Sequence, residues 1–564
     1  MKTWKTNLEE TKQRYINWWN HKGIILSMWE HFQEGVKPHA DIAPPAPARD
    51  LSQKWFDPQW RAEYLDWYVA HSSLMADMLP VANTQLGPGS LAAILGGVFE
   101  GGEDTIWIHP DPNFNDEIVF NPEHPNWLLH KELLKACKAK ANGNYFVGMP
   151  DLMEGLDVLA ALKGTDRGLL ETVMQPEVLE QQMQQINDIY FKVFDELYDI
   201  IREGDEMAFC YFSSWAPGKM SKLQSDISTM ISQDDYRRFV QPFIREQCQK
   251  IDYTLYHLDG VGAMHHLPAL LEIEELNAIQ WTPGVGEPQG GSPKWYDLYK
   301  KILAGGKSVM ACWVTLEELK PLLDHIGADG VHLEMDFHNE REVEQAMRII
   351  EEYTGSSSSV SADVHTNQPV GEQDNAQESI RIREEKSQEE DRMKPLYDAI
   401  VAGKLEPAVE VTKDAIAAGV LPQDIINGYM ITAMGEVGQR FQDGKAFVPQ
   451  LLMAGRAMKG ALELLKPLLA GNASATIGKI VIGTVKGDLH DIGKNLVASM
   501  LEGCGFEVIN IGIDVTCDKF VEAVKENKAD ILCMSALLTT TMTYMQDVIR
   551  ALEEAGIREQ VKER

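Results

Sequence analysis

Residues 477–501 read IGKIVIGTVKGDLHDIGKNLVASML, and the organisation of the C-terminal third follows from them. Ile477–Val485 reads as a buried strand, which a glycine and polar turn joins to a helix. On that helix Ile492, Leu496, Val497, Met500 and Leu501 recur at helical spacing on one face. Strand Val508–Ile513, helix Cys517–Asn527, strand Ile531–Ser535 and helix Thr541–Ala555 continue the alternation. The pattern predicts an open, doubly wound parallel sheet of the nucleotide-binding type. A further strand is expected where the sequence stops at Arg564, so the sheet reads as incomplete and the sequence as a fragment.

The turn Gly487-Asp488-Leu489-His490-Asp491-Ile492-Gly493 carries the chemistry. Asp-x-His-x-x-Gly between strand and helix puts an imidazole at the C-terminal edge of the sheet, where ligands bind. Asp488 can hold one ring nitrogen of His490 and leave the other for a metal. Gly493 lets a bulky planar group approach the backbone. The plain structural alternative is a capped helix start with a surface histidine.

Upstream, Met393–Leu469 is helical throughout, with Gly403, Gly419 and Pro422 at helix junctions. Before it, residues 356–392 hold almost no large apolar side chain and cannot bury enough surface to offset the entropy of ordering, so they read as a flexible linker. Residues 1–355 alternate short apolar strands with amphipathic helices. The predicted strands are Met207–Phe212, Thr254–Leu258, Ala278–Trp281, Val309–Trp313 and Val331–Met335, and the predicted helices include Pro176–Glu203 and Ser232–Asp252. Such alternation fits a (β/α)8 barrel better than an open sheet, and strand ends would then face the active site. The expected division is therefore 1–355 barrel, 356–392 linker, 393–472 helical cap and 473–564 cofactor-binding sheet.

Composition bounds the function. The 564 residues are too many for one core, and 44% hydrophobic with 24% charged is the balance of a soluble globular protein. A formal net charge of −33 argues against nucleic acid and anionic membranes as partners, since both repel it. The N-terminal lysines precede no apolar core, so no signal peptide is read, and no apolar run is long enough to span a bilayer. Seven cysteines form no Cys-x-x-Cys pair, which points to a reduced, cytoplasmic protein without a disulfide framework.

In the N-terminal region the densest chemistry is Tyr256-His257-Leu258-Asp259-Gly260, followed by His265-His266. A strand-end His-x-Asp sets two side chains on one side of a strand. Nearby strand ends supply Cys312, Glu334 and Asp336. The set suits zinc, with His257, Asp259, Glu334 and Cys312 as ligands, or a metal-free acid/base pair. A structural hydrogen bond from His257 to Asp259 is the alternative. Trp29, Trp215 and Trp281 are candidates for an apolar pocket that takes an aromatic methyl ether, or for core.

The C-terminal residues resemble the corrinoid proteins of methanogens and acetogens and the cobalamin domain of methionine synthase. The resemblance rests on the stretch from Gly483 to Asn495, on Gly505-Phe506-Glu507-Val508, on Ser535-Ala536-Leu537, and on Phe441, Gly444 and Phe447-Val448-Pro449-Gln450-Leu451 in the helical patch. It implies a cobalamin (B12) cofactor with His490 as the lower cobalt ligand in place of the cofactor's benzimidazole. Asp488 and Ser535 would complete a proton-linked relay, Gly493 and Leu537 would contact the corrin, and the helical cap would shield the upper face. The family's later Gly-Gly motif has no counterpart before Arg564.

The N-terminal region resembles the uroporphyrinogen decarboxylase superfamily through Leu86-Gly87-Pro88-Gly89-Ser90, Asp226-Ile227-Ser228, His257-Leu258-Asp259-Gly260 and Ile279-Gln280-Trp281-Thr282-Pro283-Gly284. True decarboxylases carry an arginine-rich N-terminal segment where this chain has Ile24-Ile25-Leu26-Ser27-Met28-Trp29-Glu30-His31, so porphyrinogen is not the expected substrate. The superfamily also contains corrinoid-dependent methyltransferases, and those acting on coenzyme M hold zinc with His-x-Cys and a later Cys. Here the motif is His257-x-Asp259, a harder donor set that favours a methylated oxygen or nitrogen compound over a thiol. The expected catalytic residues are His257, Asp259 and Asp226.

Together the halves predict a cytoplasmic, cobalamin-dependent methyltransferase of one-carbon metabolism that moves a methyl group between a small O- or N-methylated substrate and its own corrinoid. A second methyltransferase and a reductive activator of the corrinoid are the expected protein partners. Transfer from methylcobalamin to tetrahydrofolate or a thiol, and a non-catalytic cobalamin carrier or sensor, are the alternatives.

Overall fold

The computed structural model describes residues 4–102, 105–284, 286–354, 386–469, 478–488, 492–503, 505–536 and 539–563. They fall into two units, Met1–Ser358 and Ser359–Arg564.

The first unit is built on short, largely apolar strands: β1 Ile24–Ser27, β2 Val81–Ala82, β3 Phe146–Met149, β4 Met207–Phe209, β5 Met220–Leu223, β6 Tyr253–Asp259, β7 Ala278–Thr282, β8 Ser308–Ala311 and β9 Val331–Glu334. Nearly every residue in them is buried, as strands covered on both faces require. Six of them pair in parallel in the order β1-β9-β8-β7-β6-β5. A second sheet joins β2, β3 and β4 in parallel and adds Trp215–Ala216 antiparallel to β4. The first strand lies against the last, with Ile24 opposite Val331 and Ser27 opposite Glu334. Asp77 ties β1 toward β2: its N–H donates to Leu26 O (2.9 Å) and its carboxylate accepts from Leu26 N (3.1 Å). These pairings give a parallel, strand–helix alternating unit in two sheets.

Parallel neighbours cannot be joined by tight turns, so helices return the chain between strands. Among them are α1 Pro58–His71, α2 Gly155–Lys163 and α3 Pro176–Ile201. The helix expected over Ser232–Asp252 is two, α4 Gln233–Phe239 and α5 Gln241–Lys250. Pro242 has no N–H to continue the first and serves instead in the opening turn of the second. Trp215 and Trp281 are buried core residues, edge-on to Tyr15 (6.3 Å) and Trp295 (5.0 Å).

In the second unit, α6 Lys386–Val401 begins inside the stretch read as linker; residues 355–385 lie outside the described residues. With α7 Leu405–Ala417, α8 Ile431–Gln442 and α9 Val448–Leu469 it forms a bundle around Leu396, Ile400, Ile425, Met430, Met458 and Leu465. The sheet that follows comprises β10 Lys479–Thr484, β11 Glu507–Asn510, β12 Ile531–Ser535 and β13 Lys562–Glu563, with α10 Ile492–Gly503, α11 Cys517–Asn527 and α12 Tyr544–Glu554 as crossovers. Its order is β11-β10-β12-β13, all parallel. The strand order reverses beside β10, so the turn after β10 opens at the crevice where such sheets bind ligands.

Helix α10 departs from its expected face. Val497 is 45% exposed, whereas Ala498 and Lys494 are buried and Met500 packs against the bundle residues Val437, Leu451 and Ala454. The bundle and sheet meet through this helix, with Lys459 paired to Glu502 at 2.9 Å. Phe520 fills the centre of the sheet core with Val481, Val524, Leu532 and Leu552, and its ring lies where a side chain at Gly483 would stand. Phe520→Ala should destabilise the second unit by about 3–5 kcal/mol while the first unit's transition in chemical denaturation of the full chain stays in place.

Candidate functional site

The chemistry predicted for the first unit gathers beyond the carboxyl ends of its strands. His257 and Asp259 stand on one side of β6, and Gly260 turns the chain with φ 74°. Asp226 opens a 3-10 turn after β5, held by Asp157, whose carboxylate accepts from Asp226 N (2.9 Å) and Ile227 N (3.0 Å). Glu154 caps α2 and accepts from Leu156 N at 2.9 Å, so three carboxyls crowd one corner. Ligand atoms of Asp226, His257 and Asp259 lie within 4.8 Å of one another, the one such metal-capable group of three found among the described residues. His257 Nε2 stands 4.0 Å from Asp259 Oδ2, too far for the structural hydrogen bond considered from sequence.

The partner of His257 is Gln280, which the sequence did not single out. Its amide nitrogen donates to Thr282 Oγ1 (2.7 Å) and Cys312 Sγ (3.0 Å), so its amide oxygen faces the ring and accepts from His257 Nδ1–H. That tautomer leaves the Nε2 lone pair toward Asp226 and Asp259. Burial, aided by the nearby Lys222 cation, lowers His257 to about 3, so the ring is neutral at pH 7. Cys312 and Glu334 lie outside the metal-capable group: the Cys312 thiol donates to Glu334 Oε2 (2.8 Å). Burial and the Glu334 charge raise the thiol well above its usual range, and burial pushes Glu334 up to about 8. Asp336 is also raised by burial.

Lys222, buried on β5, pairs with the buried Asp151 and bonds Gln224, whose amide donates to Asp226 Oδ2 (2.9 Å). Its ammonium lies 4.5 Å from the Tyr211 ring. The Asp226 side chain reaches solvent, yet the protein packed around it raises its carboxyl against the pull of Lys222. Burial raises Asp259 too, again opposed by Lys222. A lysine inside an apolar strand was the only sequence sign of this residue. His265 and His266 point elsewhere: their rings bond the backbone oxygens of Ile231 (3.1 Å) and Ser228 (2.8 Å).

The strand expected over Met207–Phe212 ends at Phe209, and the one expected to Trp313 ends at Ala311. Phe212, Ser213, Trp313 and Met153, all just past strand ends, take left-handed φ between 43° and 62°. Strain of this kind collects where side chains must be aimed. Here it sets the Tyr211 and Phe212 rings 6.1 and 5.8 Å from His257. Beside them opens a cavity of about 530 Å³ that Trp29, Tyr64, Tyr68, Tyr211 and Arg61 help to line.

In the second unit Asp488 is fully buried at the turn after β10, and its carboxylate accepts from Thr541 Oγ1 at 2.7 Å. Asp514 anchors the same turn, accepting from Gly487 N (2.8 Å). Ser535 pairs with Thr484 across β12 and β10, and its carbonyl accepts from Val485 N (3.0 Å). His490 and Leu537 lie outside the described residues. A side chain built at Gly493 would meet no atom of a described residue within 4 Å, and Val497, one turn on, shares that open face. Ile431, Phe441 and Met542 are further exposed apolar side chains of this unit. An open glycine and uncovered apolar surface beside a buried, hydrogen-bonded carboxylate suit a large planar ligand with a polar centre.

Comparison with known proteins agrees. Residues 478–562 match the B12 binding domain family, and residues 393–466 match a second B12 binding domain family. Trimethylamine corrinoid protein 1 of Methanosarcina acetivorans is 45% identical over 167 residues, 29% of this chain and 77% of that protein. Dimethylamine corrinoid protein 1 of the same organism is 48% identical over 158 residues, 27% of this chain and 74% of that protein. The methanol:cobalamin methyltransferase complex of Methanosarcina barkeri is 33% identical over 32% of this chain and 71% of the matched chain, with a TM-score of 0.27. The two B12 binding domain families and the corrinoid protein relatives make the cofactor a corrinoid of the cobalamin type. No described helix is long and apolar enough to cross a membrane.

Gln280→Leu should leave the buried His257 N–H without an acceptor. The expected cost is about 1–3 kcal/mol, read from chemical denaturation of the first unit.

Proposed function

Because this chain belongs, through residues 393–562, to the corrinoid protein family that includes the trimethylamine and dimethylamine corrinoid proteins, we propose that it is a methyltransferase that carries its own cofactor. In this reading the first unit, a (β/α)8-barrel relative of uroporphyrinogen decarboxylase, demethylates a small O- or N-methylated substrate, and the second unit receives the methyl group. The observation that carries it is the neutral His257 with Asp226 and Asp259 at a strand-end edge, on the same chain as a corrinoid-binding unit.

The bound corrinoid supplies a cobalt centre that accepts and hands on a methyl group. His490 would hold the cobalt, and Asp488, which accepts from Thr541, would orient its ring. Gly493 and Val497 would offer the corrin an uncovered face, and Ser535 and Leu537 are the further residues proposed to contact it. The difficult part of the reaction is release of the oxygen or nitrogen that bore the methyl group. Asp226, His257 and Asp259 would hold a divalent cation such as Zn²⁺, which would supply Lewis acidity there. Without a cation, the accessible Asp226 carboxyl is the group placed to give the leaving heteroatom a proton. Joining both units in one chain raises the effective concentration of one at the other. A second methyltransferase and a reductive activator are the partners this reading requires.

Mixed with methylcobalamin, the protein should give a base-off, histidine-on absorbance spectrum that His490→Ala loses. A spectrum equal to that of free cofactor would overturn the ligand assignment. In metal analysis, His257→Ala and Asp259→Ala should lower Zn²⁺ content together with demethylation, and Cys312→Ser should keep both. Full activity in metal-free protein would favour the acid/base form of the site.

A further inference from the structure

The cavity beside the site holds a cation that has no counter-ion among the described residues. Arg61, on α1, is only 7% exposed. Its Nη2 donates to the backbone oxygens of Asn83 and Gln85, both at 3.2 Å, and its guanidinium lies 5.1 Å from the Trp55 ring. Its Nε is buried without an acceptor. Nη1 makes no hydrogen bond to a described residue, and no described carboxylate lies within ion-pair distance. Burial lowers its pKa only to about 10, so the group stays charged at pH 7. A desolvated, unpaired guanidinium is costly, and proteins keep one where an anion will meet it. Of the other buried cations of this unit, Lys222 is paired with Asp151, while Lys5 and Lys307 donate to backbone oxygens at 2.6–2.9 Å; Arg61 differs from all three in lining the cavity.

The walls around Arg61 specify the rest of the ligand. Trp29, Tyr64, Tyr68 and Tyr211 present aromatic surface, and Trp29 and Tyr211 pack 4.5 Å apart. Flat walls favour a flat ring, by stacking. A methylammonium ion would also find aromatic faces, but Arg61 repels it. Glu30, the acidic residue of the lining, is exposed and forms no ion pair with Arg61. At about 530 Å³ the space is in the range for a small organic ligand. Tyr211 belongs both to this cavity and to the surroundings of His257, so one end of a ligand anchored at Arg61 can extend toward the reactive group.

We propose that the cavity binds a small aromatic carboxylate, its anion on Arg61 and its ring between the aromatic walls. The proposal rests on the demethylase reading for its role, since it makes a methylated arene carboxylate the substrate class. Its test needs neither cobalamin nor turnover, so the two readings fail separately. Titration of the full chain with 4-methoxybenzoate and with its neutral isostere 4-methoxybenzamide, followed by calorimetry and tryptophan fluorescence, should show the acid binding at least tenfold more tightly. Cyclohexanecarboxylate, with the anion but no flat ring, should bind more weakly than the methoxybenzoate. Arg61→Gln should bring acid and amide within twofold, and Arg61→Lys should restore part of the preference. Equal binding of acid and amide to the unaltered protein would overturn the proposal whether or not the variants fold, as would a preference that Arg61→Gln leaves unchanged.

Discussion

Parallel strand pairing is the constraint from which the rest of this protein follows. In both units the principal strands run the same way, and their crossovers are helices. A parallel sheet sends every strand's carboxyl end to one edge, so residues far apart in sequence become neighbours there. Tyr211, Asp226, Asp259, Thr282, Cys312 and Glu334 lie at or just past the carboxyl ends of six strands, β4 to β9, and strand pairing brings them to one edge. In the second unit the same rule sets the turn holding Asp488 beside Ser535, the last residue of β12. The sheet interior is apolar and fully covered, and this leaves the edge as the place where polar side chains can collect without unfolding the core.

The edge of the first unit is held by very few cations. With a net charge of −33 the chain favours cations in solution over anions. Within the site, however, buried carboxyls are pushed toward neutrality and the histidine is kept uncharged, because desolvation penalises every charged form. Lys222 is the exception that organises this corner. It offsets Asp151, works against the upward shift of Asp226 and Asp259, and adds to the downward shift of His257. Burial, with this cation's help, thus keeps the ring neutral, which is the form able to offer a lone pair.

What the sequence revealed and what it hid follow from the range of each interaction. Helix Cys517–Asn527 and strand Ile531–Ser535 have the limits their periodicity predicts, because apolar repeat and capping act within a few residues. His257 and Asp259 on one side of β6 were legible for the same reason: two residues along a strand restore the direction. Gln280, Lys222 and Thr541 were not, since each acquires its role from a partner on another strand or helix. Trp215 and Trp281 were open between pocket and core, as an aromatic residue fits either, and packing against Tyr15 and Trp295 decides it. On α10 one position of the expected stripe, Val497, departs for a different reason. A helix between a bundle and a sheet buries the positions nearest both, and Val497 is left on the face turned away from them.

Gln280 also bears on which donors the site can present. Its amide has one acceptor and one donor end, and both are committed: the oxygen to His257, the nitrogen to Cys312 and Thr282. The thiol that receives this bond donates its own proton to Glu334 and is held protonated by burial. The soft sulfur atom is therefore withdrawn into a hydrogen-bonded layer, as a thiol and not a thiolate, while imidazole nitrogen and carboxylate oxygen remain at the open face. Thiolate is the form that binds soft metals and activates sulfur compounds. A site that neutralises its cysteine and exposes nitrogen and oxygen is chemically biased toward hard cations or proton transfer, the bias that the proposed O- or N-demethylase reading requires.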